Sequence, residues 1–189
     1  MKHLSRIAVA LVALSMLGGS ALAATDAETV AAFKKAGESA EYFSHAYGYA
    51  VFPTIGKGGI GIGAAHGTGS VYQGGKRTGE VTMNQISVGL QLGGQAYSEI
   101  IFFKDKSSYD SFTSGNFEFD AGASVIAIKA NASASAGTTG ATSTAGTKKG
   151  AQTEGSGYYK GMAVFAIAKG GLMYEATLAG QKFKFKPGG

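Results

Sequence analysis

The chain has 189 residues, with 31 Gly, 2 Pro, no Cys, no Trp, 15% charged residues and a formal net charge of +5. Gly stands far above its usual ~7% share while 44% of the chain is apolar, which excludes a charge-rich disordered protein and, with so little Pro, collagen. Without Cys there is no disulfide scaffold, thiolate metal site, cysteine nucleophile or lipid-modified N-terminal Cys.

Lys2 and Arg6 precede an uncharged run, Ile7 to Leu17, and Ala21-Leu22-Ala23 supplies small residues at a cleavage position. That is the tripartite pattern of a secretory signal, with residues 1–23 removed and the protein exported, most simply to the periplasm. The run is too short to span a ~30 Å hydrocarbon core. Residues 24–189 carry 15 Lys+Arg against 12 Asp+Glu, and the excess is concentrated at 148–189, which hold 7 Lys and 2 Glu. A basic end of this kind suits anionic lipid, glycan or nucleic acid, or simply solubility. A single Arg after residue 23 argues against nucleic acid.

From Asp26 to about Tyr47 the spacing predicts a helix, its stripe formed by Val30, Phe33, Gly37, Ala40, Phe43 and Tyr47. Thr25 or Asp26 caps its start and Gly48 ends it. Tyr49-Ala50-Val51-Phe52-Pro53 then reads as a strand at an edge or a strand end, because Pro cannot donate to a ladder. In the glycine-rich stretch 56–69, Ile60 and Ile62 alternate with Gly, predicting a strand whose bare face permits close approach. Ser70 to Tyr72 and Glu80 to Met83 flank a polar turn over Gln73–Gly79. Ile86, Val88, Leu90 and Leu92 alternate with small or polar residues as a strand, and Gly93-Gly94 is expected to turn the chain into a buried strand, Ile100 to Phe103. Asp105–Gly115 is a candidate short helix, followed by strands at Phe117–Asp120 and Ser124–Ile128.

Residues 130–157 are almost all Ala, Ser, Thr or Gly, and are expected to form a mobile loop inserted within one domain. Strands are predicted at Met162–Ala168 and Leu172–Leu178, joined by a Gly170-Gly171 turn. In Lys182-Phe183-Lys184-Phe185-Lys186, alternation puts three Lys on one face and two Phe on the other. The expected fold is a single α+β domain over 24–189: a twisted, mainly antiparallel β-sheet or partial barrel with an N-terminal helix and a short second helix.

Motifs for catalysis are lacking. Gly56, Gly58 and Gly61 satisfy G-x-G-x-x-G formally, but no helix-forming sequence follows to hold a pyrophosphate. There is no phosphate loop, nucleophile elbow or S-x-x-K pair. His45, on the helix, reads as solvated or capping, and His66, in a glycine loop, as structural. The reading is of a non-enzyme with no cofactor, metal or small-molecule substrate. What remains are binding surfaces. Phe33, Lys34 and Lys35 belong to an amphipathic helix suited to a membrane surface or to packing on the protein's own sheet. Lys182, Lys184 and Lys186 form a stripe for phosphates or an ordinary solvated strand face. Lys57, Lys76 and Arg77 are cations near turn or glycine backbone that can meet an anion.

Tyr49–Pro53 with Gly58-Gly59-Ile60-Gly61-Ile62-Gly63 and Gly67-Thr68-Gly69 resembles the start of the SYLF domain, the lipid-binding domain of endocytic actin regulators. Ser87 to Gln95 with Glu99 to Phe103 is similar to that family's central strands. Phe119 to Ser124, Tyr158 to Met162 and Gly171-Leu172 resemble its C-terminal blocks. The resemblance runs over most of residues 27–180 and departs from the family in the low-complexity insertion after Ser124 and in lacking the added targeting domains. It implies binding of membrane lipid, phosphoinositides in eukaryotic members, through an N-terminal amphipathic helix and basic surface, without catalysis. On an exported chain it points to anionic phospholipid of an envelope membrane, with Phe33 inserting and the lysines holding headgroups. The alternative is an envelope interaction module whose loop 130–157 or sheet edge meets another protein. A small outer-membrane β-barrel fits poorly with the insertion, the helix and the alternating lysines of the last strand.

Overall fold

The computed structural model describes residues 24–120, 123, 125–128, 157–169, 178 and 180–188. The leader reading at 1–23, nearly all of the 130–157 loop, the Gly170-Gly171 turn and the strand at 172–178 lie outside the described residues, apart from Gly157 and Leu178. The described residues form a mostly β, single-domain fold whose curled mixed sheet makes a half-barrel, with short helices packed against it.

Two long strands dominate. β1 (Gly48–Gln73) and β2 (Lys76–Phe103) pair antiparallel over their whole length, as a hairpin closed by Gly74-Gly75. Both turn residues have positive φ, 54° and 78°, the geometry of a type I′ turn that matches strand twist. The expected turn at Gly93-Gly94 is therefore corrected: both residues lie within β2, paired with Gly59 and Gly58. Glycine at these positions loosens the strand rather than ending it, and the register shifts nearby, between Ile60 and Ile62.

The far half of the hairpin folds back over the near half. At Gly69 a Cβ would stand 2.3 Å from the Val51 carbonyl oxygen, and at Gly67 2.6 Å from the Ile55 side chain. The bare face predicted from the glycines is thus used by the chain itself.

Two shorter strands border β2 and two lie beyond them. β5 (Met162–Lys169) pairs antiparallel with the near end of β2, and β4 (Val125–Ile128) pairs parallel with β5. β6 (Gln181–Pro187) pairs antiparallel with the far end of β2, and β3 (Asn116–Glu118) with β6, giving the order β3-β6-β2-β5-β4. Among the described residues β1 joins only β2, so Pro53 sits on an edge strand there, at a register shift between Phe52 and Ile55.

Alternation divides the core. Ala50, Phe52, Ile101, Phe103, Val164 and Phe183 face the inside of the curl. Val51, Ile100, Phe102, Ala163 and Phe165 face outward and are covered by the helical segment. Ile100 to Phe103 is buried on both faces, which explains its unbroken apolar run.

The segment is three helices where the periodicity suggested one. α1 (Asp26–Lys35) starts with a capping box between Thr25 and Glu28, then breaks at Ala36, whose backbone is extended. Ser39 closes the break, its hydroxyl donating to Phe33 O at 2.6 Å. α2 (Gly37–Ala40) and α3 (Tyr42–His45) follow, and the break moves the buried stripe to Tyr42, whose ring stacks on Phe102 at 5.4 Å between centroids. α4 (Lys106–Thr113) matches the short helix read from sequence, capped by Asp105 and followed by Gly115 at φ 119°.

Candidate functional site

The far half of the hairpin and β6 present one outward face. On β6, Phe183 is buried and Phe185 partly buried, while Lys182, Lys184 and Lys186 are exposed, as strand alternation predicts. Their partners on β2 are Asn84, Thr82 and Glu80. On β1 the same face carries Ile62, Ala64, His66 and Thr68, with His66 Nδ1 2.8 Å from Asn84 Oδ1. His66 is thus a strand residue, not a loop residue.

The three ammonium groups span about 14 Å, since strand residues advance ~3.4 Å each. Lys182 lies 3.6 Å from Glu118 on β3, both well exposed, a pair of small energetic weight. Among the described residues, Lys184 and Lys186 have no ion-pair partner. The row is extended by the hairpin turn: Gly188 N–H donates to Thr78 O at 2.9 Å, which brings Lys76 and Arg77 to its end. Arg77 is itself engaged, with Ser70 at 3.0 Å and Glu80 at 3.3 Å. Beside it, a polar groove of about 350 Å³ runs between Asp26, Pro53, Thr68, Ser70 and Thr82.

The other sequence candidates fall elsewhere. Lys57 faces Gln95 in the near part of the hairpin, before the register shift. Lys34 and Lys35 lie on α1, with Lys34 Nζ 5.3 Å over the Phe43 ring. Phe33 is a correction. It is fully buried against the group formed by Val51, Ile100 and Phe102, so it is not available to insert into a membrane. The helix uses its apolar stripe to cover the near half of the sheet, because that face bears Val51, Ile100 and Phe102 and needs a cover.

Sequence reading missed a polar cluster inside the curl. Glu99 is fully buried and accepts from Gln181 Nε2 at 3.3 Å, while its Oε1 and Gln181 Oε1 have no partner among the described residues. Burial pushes the Glu99 carboxyl up to about 8, against a smaller lowering from Gln181, so it is protonated at neutral pH. Tyr97 and Gln85 are buried on the same inner side, and burial holds the Tyr97 phenol neutral. The available signal was a glutamate heading a run of four apolar residues, which strand alternation turns inward beside Ile101 and Phe103.

Among the described residues no group of His, Asp and Glu could hold a metal ion, and no helix is long and apolar enough to cross a membrane.

No protein-family model matches the chain. The chain is similar to Beta cell expansion factor A of Aeromonas veronii, at 29% identity over 144 residues, 75% of this chain and 46% of that protein. It thus spans less than half the length of this relative.

Proposed function

We propose that this protein is an exported, non-enzymatic member of the SYLF group that attaches peripherally to anionic phospholipid of an envelope membrane. The observation that carries the reading is the row Lys182, Lys184 and Lys186, exposed together on one strand, with two of the three lacking an ion-pair partner among the described residues. Each Lys near an anionic surface contributes about 1 kcal/mol, so such a row supports reversible, salt-sensitive attachment. The family resemblance of the sequence blocks supports it. In the half-barrel β6 is held between β2 and β3, with Phe183 sealed beneath the lysines.

Co-sedimentation with vesicles tests it. The protein is expected to pellet with phosphatidylglycerol-containing vesicles at low salt, to be released by high salt, and to ignore phosphatidylcholine. Lys182→Glu, Lys184→Glu and Lys186→Glu together should abolish the binding. A folded protein that pellets with neither vesicle overturns the reading.

A further inference from the structure

The outer face of the sheet is covered over its near half and open over its far half. Val51, Ile100 and Phe102 lie beneath α1–α3, whereas Ile62 is 64% and Ile86 75% exposed, the two large hydrophobic side chains left in solvent among the described residues. They are neighbours: Ile86 pairs with Ala64, two residues from Ile62 on the same face of β1. Such diagonal pairs stand ~7–8 Å apart and form one apolar spot rather than two scattered ones.

This spot adjoins the lysine row. Lys182 pairs with Asn84, two residues from Ile86 on β2, and the backbone of Gly180 passes beside the Ile86 carbonyl. The order along β2 is Ile86, then the partners of Lys182, Lys184 and Lys186, over about 20 Å. The side chains between them, His66, Thr68, Thr82 and Asn84, include no carboxylate. The acids on the face are matched by cations, Glu118 by Lys182 and Glu80 by Arg77. An apolar end grading into a net basic field complements a surface that is itself apolar inside and anionic at its rim.

We infer that Ile62 and Ile86 are the membrane-inserting pair of this protein, entering the acyl boundary of an anionic bilayer while Lys182, Lys184 and Lys186 lie along its headgroups. The inference rests on the lipid-binding reading above and replaces Phe33 as the inserting group. Both isoleucines reach past the sheet surface without any helix having to detach. The long lysine stems let the ammonium groups reach toward the headgroups as the sheet settles.

The chain has no Cys, so single-cysteine variants are clean probes. Ile62→Cys and Ile86→Cys, each carrying an environment-sensitive fluorophore, are compared with Ala31→Cys on the exposed side of α1. With phosphatidylglycerol vesicles, blue shifts are expected at 62 and 86 and none at 31. Ile62→Ser with Ile86→Ser should weaken vesicle binding at least ~10-fold at fixed salt, two buried isoleucines being lost, with the fold retained because both sites are exposed. If the unsubstituted protein binds no vesicle, the lipid reading itself fails and this inference with it. If it binds, but the double serine variant binds equally and neither probe shifts, the inference alone is overturned. Probe shifts that need no vesicle and rise with protein concentration assign the spot to a second copy of the chain and overturn it as well.

Discussion

Gln181 Nε2 donates to Glu99 Oε2 across 3.3 Å inside the curl, joining β6 to β2 through two buried polar groups. Folding keeps the Glu99 proton up to about pH 8, whereas an unfolded glutamate loses it near 4.5. Between those values the folded state binds a proton that the unfolded state lacks. Stability is therefore fullest below about pH 4.5 as far as this group is concerned, falls as pH rises toward 8, and levels off above. The slope contributed is up to about 1.4 kcal/mol per pH unit. Thermal unfolding across that window should show the decline, and Glu99→Gln should flatten it. An equal slope in the variant would remove Glu99 as its source.

Gly69 and Gly56 make a matched pair. Alanine at 69 drives a Cβ to 2.3 Å from the Val51 carbonyl and against the Phe52 ring, whereas at 56 nothing lies within 4 Å. Gly69→Ala should cost more than about 2 kcal/mol in urea unfolding, and Gly56→Ala should be neutral or slightly stabilising. Similar losses at both would mean that the two halves of the hairpin do not meet as described.

Phe33→Ala should empty a fully buried site and cost about 3–5 kcal/mol. The fraction that remains folded should bind phosphatidylglycerol vesicles as the unsubstituted protein does. Loss of binding in a folded variant would return insertion to the helix.

Glu118→Gln removes the carboxylate 3.6 Å from Lys182 and should tighten binding to anionic vesicles about five-fold at low salt, from one unit of charge. The gain should vanish as salt screens the surface.

Much of this was legible in the residues themselves. Strand alternation correctly put the lysines of β6 outside and Phe183 inside, and Asp105 and Gly115 bracket α4 as their cap chemistry dictates. Gly93-Gly94 misled because glycine serves a turn and a loosened strand equally well, and only pairing with Gly58 and Gly59 decides between them. The helix read as one piece because Ala36 gives no local sign of a break; Ser39, reaching back to Phe33 O, holds it. Ile86 heads a regular apolar alternation, yet stands in solvent. Periodicity shows that a face is apolar, not what covers it, and α1–α3 reach only the near half. Glu99 was opaque because its burial depends on β6, more than 80 residues later in the chain.

The position of β6 also fixes an order of events. It is inserted between β2 and β3, strands that precede it by some 65 to 105 residues. Until residues 181–187 leave the ribosome, at ~5–20 residues per second, β2 and β3 each keep an open edge and the inner core lacks Phe183. The β1–β2 hairpin can zip locally well before then, but the half-barrel cannot close. A chain truncated before Gln181 would thus keep those edges unpaired, a template for pairing with other chains.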